Sequence, residues 1–375
     1  MTSTDQQLPA PGSTAMLERC TLPPFTPGSQ TFDLPGVIRL AQNESIHGPS
    51  PAAVAAIAAE AGRAHRYPDA TAATLAGRVA ETYGLRPEQV VVGNGVDELL
   101  LFCAVTFLTG DAIGMVTGNT YPGHWSAVDS VGARRLTVPL RGNRIDVPAV
   151  AAALRGRPIT AFLCNPHNPT GTVLTAEEVA ILVEAAERGG SLLVLDEAYM
   201  DFAEPDQARS AAEHVRKGAP VIVLRTFSKL HGLAGLRCGY ALASPGLADR
   251  LRRVKHVTVY NVNRYALAAA EASLGDTAFA DTVRARTRAA MAHFLTAIED
   301  LPWIRAQATV TNFLHCELDW DALLVSQELQ QRSVLVRPCA DMGFPRHIRV
   351  SVGTEEELDQ LVAALTEIAT ELGRP

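Results

Sequence analysis

Apolar positions along this chain follow two rhythms. Short unbroken runs occur at Gln89–Val92, Ala112–Val116, Ile159–Leu163, Ser191–Leu195 and Val221–Leu224. Runs of that length without polar interruption suit parallel strands buried on both faces. Between them lie stretches that read as helices, at Ala52–Ala64, Leu75–Tyr83, Asp97–Leu108 and Thr175–Glu187. Acidic residues fall in the first turns of two of these helices, Asp97 and Glu98 in one and Glu177 and Glu178 in the other, where they favour the helix dipole. Strand alternating with helix predicts an α/β core with a mostly parallel central sheet flanked by helices. The last third changes rhythm. Tyr265–Leu274 and Asp281–Glu299 read as long helices, Thr311–Leu318 and His347–Val352 as strands around a helix near Asp319–Gln331, and Glu355–Leu372 as a closing helix. The pattern predicts an N-terminal arm at 1–35, a large domain at 36–265 and a smaller α+β domain at 266–375.

Composition narrows the function classes. With 375 residues, 47% apolar and 19% charged, the chain is an ordinary globular protein able to bury more than one core. Its net charge of −7 and lack of any Lys/Arg-rich run argue against nucleic-acid binding. No apolar segment reaches the roughly 18 residues needed to span a bilayer. The polar start, Met1–Gly12, lacks the basic-then-apolar pattern of a signal peptide, so a cytoplasmic location is expected. The cysteines form no C-x-x-C pair and the histidines no H-x-x-x-H pair, so buried thiols and no built-in metal are expected.

Polar clusters gather at predicted strand ends, where open α/β sheets bind ligands. Gly93-Asn94-Gly95-Val96-Asp97 leads from a strand into a helix N-terminus whose backbone N–H groups suit a phosphate; the bland alternative is a plain turn. In Asn165-Pro166-His167-Asn168-Pro169-Thr170-Gly171, the two Asn-Pro steps hold the path of the loop, and Asn168 can present an amide to a ligand oxygen. Asp196, directly after an apolar strand, can keep a heteroaromatic N–H protonated, or simply cap a helix. Tyr199, one turn on, can hydrogen-bond a phenolic oxygen. Tyr121, after Thr120, would set an aromatic ring at the sheet mouth to stack on a flat cofactor, or else pack in the core. Arg349 offers a fork matched to a carboxylate, or a surface ion pair. Most telling is Arg225-Thr226-Phe227-Ser228-Lys229, with Arg237 eight positions beyond the lysine. Desolvation and neighbouring cations make such a lysine nucleophilic toward a carbonyl. With Ser228 and Arg237 as anion contacts, the cofactor indicated is pyridoxal 5′-phosphate.

Taken in order, these motifs resemble the class I/II aminotransferases of fold type I, and within them the histidinol-phosphate aminotransferase group. The likeness runs from about Leu22 to the C-terminus. It includes Asn43-Glu44 with Gly48-Pro49, Arg66-Tyr67-Pro68 and Gly235-Leu236-Arg237 beside the segments above, and ends on Ile348-Arg349-Val350 with Val352-Gly353-Thr354. The resemblance implies that Lys229 bonds pyridoxal 5′-phosphate and shuttles a proton, and that Asp196 pairs with the ring nitrogen. It gives Asn168 and Tyr199 the phenolic oxygen, and Tyr121 the ring face. The backbone of Gly95, Val96 and Asp97, with Thr226, Ser228 and Arg237, would hold the phosphate. Tyr67 would reach the phosphate of a neighbouring subunit, implying a homodimer with shared sites. On the substrate side the resemblance implies Arg349, Asn43, Tyr260, Arg337 and Phe25, the last standing where the group usually carries a tyrosine. The expected reaction moves an amino group between an amino acid or amine, of histidinol-phosphate or aromatic type, and a 2-oxo acid such as 2-oxoglutarate. Decarboxylation, elimination or oxidative deamination on the same scaffold is the alternative. A non-catalytic cofactor-binding regulator is disfavoured, because the catalytic set is intact.

Overall fold

The computed structural model describes residues 35–373. Phe25 and Cys20 lie outside the described residues. The strands, in chain order, are β1 (Ile38–Leu40), β2 (Val90–Gly93), β3 (Ile113–Thr117), β4 (Arg134–Val138), β5 (Leu140–Arg141), β6 (Arg144–Ile145), β7 (Thr160–Cys164), β8 (Leu192–Asp196), β9 (Val221–Thr226), β10 (Gly239–Ala243), β11 (Ile304–Arg305), β12 (Phe313–Leu318), β13 (Val334–Pro338) and β14 (His347–Ser351). Seven form one sheet in the order β2-β10-β9-β8-β7-β3-β4. Strands β4, β3, β7, β8 and β9 pair in parallel, while β10 runs antiparallel to both β9 and β2.

The unbroken apolar runs explain this layer. Along β8, Leu193 and Leu195 enter one apolar cluster while Leu192 and Val194 enter another. Alternate side chains thus point to opposite faces, and both faces are covered. Helices fill them from recognisable signals. Thr175 and Glu178 form a reciprocal capping box ahead of Ala176–Gly189, and Thr354 and Glu357 do the same ahead of Glu355–Leu372.

A second sheet, ordered β1-β13-β14-β12-β11, has its own apolar cluster. Its edge comes from the start of the chain: β1 pairs in parallel with β13, Ile38 opposite Val334. Strand β14 lies between β13 and β12 and carries Arg349.

Below the end of β8 sits a buried ion cluster. Glu197 Oε2 accepts from Arg225 Nη1 at 2.9 Å, Glu197 Oε1 accepts from the Ala211 amide at 2.7 Å, and Arg225 also pairs with Asp201. Burial pushes the Glu197 carboxyl up, while Arg225 and the hydrogen bonds hold it down. Such a pair resists the loss of either partner far more than it adds net stability. Arg225→Ala should therefore cost about 3–5 kcal/mol of unfolding free energy in urea titration. A loss below about 1 kcal/mol would show that Glu197 does not need its counter-ion.

Candidate functional site

A cleft of ≈ 490 Å³ opens at the carboxyl ends of the central strands, with Arg349 from the second sheet on its wall. Lys229 reaches it from the turn after β9. At Gly232, φ is +67°, and a Cβ there would lie 2.2 Å from the Gly48 carbonyl oxygen. That turn therefore packs backbone to backbone against Gly48-Pro49, which only glycine allows. The Lys229 amine donates to the carbonyl oxygens of Gln42 at 3.1 Å and Asn43 at 3.2 Å. Burial, then the positive charge of Arg349, lowers its pKa to about 8. An amine so placed gives up its proton far more readily than a surface lysine.

Opposite it, the cleft wall is a set of side chains held from behind. Asp196, at the end of β8, takes a hydrogen bond from the Ala198 amide on Oδ1 at 3.0 Å. Its Oδ2 lies 3.0 Å from Nε2 of the fully buried His124. The Tyr199 hydroxyl accepts from Asn43 Nδ2 at 2.9 Å and from Asn168 Nδ2 at 3.5 Å. Burial raises the Tyr199 pKa to about 12, so it remains a phenol that can donate. Arg349 is buried and spans the cleft wall, donating from Nη1 to Asn168 Oδ1 at 2.8 Å and from Nη2 to the Ala41 carbonyl at 2.7 Å.

At the other end lies an anion slot. The helix Val96–Phe107 opens on Gly95 without a side-chain cap, leaving its first-turn N–H groups without a side-chain acceptor. Gly95 has φ +88°, and a Cβ on it would fall 2.6 Å from Arg237 Nη2. Arg237 approaches Ser228 Oγ at 3.5 Å and pairs with Asp97 at 3.2 Å. Thr226 Oγ1 accepts from the Ser228 amide at 3.0 Å and so shapes the turn. Tyr121 lines the cleft and donates its hydroxyl to Asp97 Oδ1 at 2.8 Å.

Of the residues expected from sequence, the cleft gathers Asn43, Val96, Asp97, Tyr121, Asn168, Asp196, Tyr199, Thr226, Ser228, Lys229, Arg237 and Arg349. Three others stand apart from it. Tyr67 is 79% exposed and stacks on Tyr260, ring centroids 4.5 Å apart, and Arg337 turns to Asp341. Sequence reasoning assigned nothing to Gln42, whose carbonyl receives the lysine, to Cys164 on the cleft wall, or to His124. The bond of His124 to Asp196 spans 72 positions and leaves no local signal.

Comparison with known proteins agrees with this geometry. The family model described as aminotransferase class I and II matches residues 35–365. A histidinol-phosphate aminotransferase of Moorella thermoacetica is 35% identical over 356 residues, 93% of this chain and 91% of that protein. One of Symbiobacterium thermophilum is 36% identical over 353 residues, 91% and 95% of the two chains. The crystal structure of a histidinol-phosphate aminotransferase from Sinorhizobium meliloti, in complex with pyridoxal-5′-phosphate, superposes with a TM-score of 0.81. It is 29% identical and covers 94% of this chain and 99% of its own.

The lowered lysine pKa gives a direct prediction for the cofactor-free protein. After ¹³C reductive methylation, one lysine resonance should titrate near pH 8 and vanish in Lys229→Arg. If every lysine titrates at about 10 or above, the amine is not desolvated as described.

Proposed function

The chain belongs to the class I and II aminotransferases, pyridoxal 5′-phosphate enzymes of fold type I, and on that footing we propose its donor and the work of each side chain. The donor is an amine of the histidinol-phosphate type, or a related aromatic amino acid, and the acceptor a 2-oxo acid such as 2-oxoglutarate. The observation that carries this reading is Arg349: a buried guanidinium on the wall of the lysine's cleft, whose Nε has no hydrogen-bond partner. An anion at the end of the substrate, phosphate on the donor or carboxylate on the acceptor, would meet it there. The similarity to histidinol-phosphate aminotransferases supports the same donor.

The residues present fit the cofactor. A phosphate needs several convergent donors, and the uncapped helix start, Ser228, Thr226 and Arg237 supply them. A pyridine nitrogen needs a buried carboxylate, and Asp196 has one backed by His124. A phenolic oxygen needs donors, and Tyr199 and Asn168 offer them. Tyr121 would lie against the ring. Bound there, pyridoxal 5′-phosphate supplies an electron sink for the pair left when the donor's Cα–H bond breaks.

The chain's own residues do the rest. Asp196 holds the proton at the ring nitrogen. Lys229, as a free amine, takes the proton from the donor's Cα and delivers it to C4′ of the cofactor. Arg349 and Asn168 fix the donor so that the bond to be broken stands across the ring. Asn43 steadies Tyr199 and, through its carbonyl, the lysine. We further propose a homodimer with shared sites, in which Tyr67 reaches the partner's phosphate. It is exposed on its own chain, and Arg264 anchors its loop by donating to the carbonyls of Arg66 and Tyr67 at 3.2 and 2.9 Å. Tyr260 and Arg337 would border the substrate from outside the cleft, and Phe25 is proposed as a further substrate contact. On this reading the functional divisions of the chain are 1–35, 36–265 and 266–375, and the enzyme acts in the cytoplasm.

Lys229→Ala should abolish turnover and the long-wave absorbance of lysine-bound cofactor; transamination at the normal rate would overturn the assignment. Arg349→Ala should lower kcat/KM for 2-oxoglutarate about 10- to 150-fold, as expected for a lost hydrogen bond to a charged group. Among histidinol phosphate, phenylalanine and glutamate, histidinol phosphate should convert the bound cofactor to its amino form fastest in stopped-flow spectra. If none of the three converts it, the donor class is wrong.

A further inference from the structure

The turn that opens the anion slot is held from behind by two ionisable side chains that do not line the cleft. Glu98, in the first turn of the helix, reaches back over the turn, and its Oε2 accepts the Asn94 N–H at 2.6 Å. Lys255 is buried, and its Nζ donates to the Val92 carbonyl at 2.7 Å. The two thus clamp Val92-Gly93-Asn94-Gly95 from either end.

The Glu98 oxygen has a second partner. Asn261 Nδ2 donates to that same atom. Asn261 follows Tyr260, whose φ is +67° and whose ring stacks on Tyr67. Side chains just before it are bare: Val257 is 84% exposed and Val259 47%. One carboxylate oxygen therefore joins the anion-binding turn to the exposed segment that carries the tyrosine stack.

We propose that Glu98 is a positioning residue, which sets the phosphate-binding turn and ties it through Asn261 to the Tyr67–Tyr260 surface. This rests on the reading of the slot as the site of the cofactor phosphate. The physical reason is economy of donors. With its N–H bound to Glu98, Asn94 cannot turn toward the cleft, so the N–H groups presented there are those of the helix start. A charged acceptor at 2.6 Å fixes that choice more firmly than water could. The bond from Asn261 then makes any shift of the turn a shift of the exposed segment as well.

The test compares two aldehydes that differ only in the phosphate. Pyridoxal 5′-phosphate and pyridoxal are titrated into the cofactor-free protein, read by absorbance and tryptophan fluorescence. Glu98→Ala should weaken the phosphate form at least about tenfold, as for loss of a charged hydrogen bond, and leave pyridoxal affinity within about twofold. Glu98→Gln, which keeps one acceptor, should recover most of that loss. Asn261→Ala, which leaves the turn's own bond intact, should weaken the phosphate form by a smaller factor. It should also change the near-ultraviolet circular dichroism of the tyrosine stack. Equal loss of both aldehydes in Glu98→Ala would mean general damage, and unchanged affinity for both would mean no role; either overturns the proposal. Should Glu98→Ala fail to fold, Glu98→Gln and Asn261→Ala carry the comparison, and wild-type selectivity in both overturns it. Failure of the underlying reading looks different: the wild-type protein would then show no preference for the phosphate form.

Discussion

A charge taken out of water must find a partner, and in this protein that requirement ties the parts together. Arg349 comes from the second sheet, yet two of its nitrogens are met by Asn168 after β7 and by the Ala41 carbonyl after β1. Lys229 comes from the turn after β9, yet its amine rests on Gln42 and Asn43. Asn43, with φ +53°, also donates its backbone N–H to Ser351 Oγ at 2.7 Å and its Nδ2 to the Tyr199 hydroxyl. The short segment 41–44 is thus a common floor for two sheets. Burying the cations forces the sheets into register, and the cleft is what remains between them.

The placement also decides the chemistry. The same burial that costs Lys229 solvation lowers its pKa to about 8, and the Arg349 charge adds to the effect. Tyr199 moves the other way, up to about 12, for the same reason of burial. Two groups with ordinary values of 10.5 and 10.0 are pulled apart, so one readily becomes a base while the other stays a donor.

Much of this was legible in the sequence, for reasons that differ by element. The runs at β7, β8 and β9 are apolar throughout because both faces of the sheet are covered, so they stand out without context. Strand β10 did not stand out: Gly-Tyr-Ala-Leu-Ala is short, begins with glycine and owes its strand to pairing between β2 and β9. Strand β1 is three residues long and exists only because β13 accepts it. In the cleft, groups carried by local motifs were found, among them Lys229, Asp196, Tyr199, Asn168 and the Gly95 turn. What escaped was backbone chemistry and long-range partnership. The carbonyls of Gln42 and Asn43 have no residue-type signature, and His124 becomes meaningful only once folding sets it beneath Asp196.

The pairing of β1 with β13 also bears on how the chain is made. Ile38 leaves the ribosome long before its partner Val334. At the usual pace of synthesis, about 5–20 residues per second, that separation is a wait of about 15–60 s. During it the floor segment and the lysine turn exist without the strands that complete their surroundings. The large sheet can close first, since β2 through β10 all precede the second sheet's last three strands, but the cleft cannot form until β13 and β14 have been made. A nascent chain of this protein should therefore gain its architecture well before it gains a site.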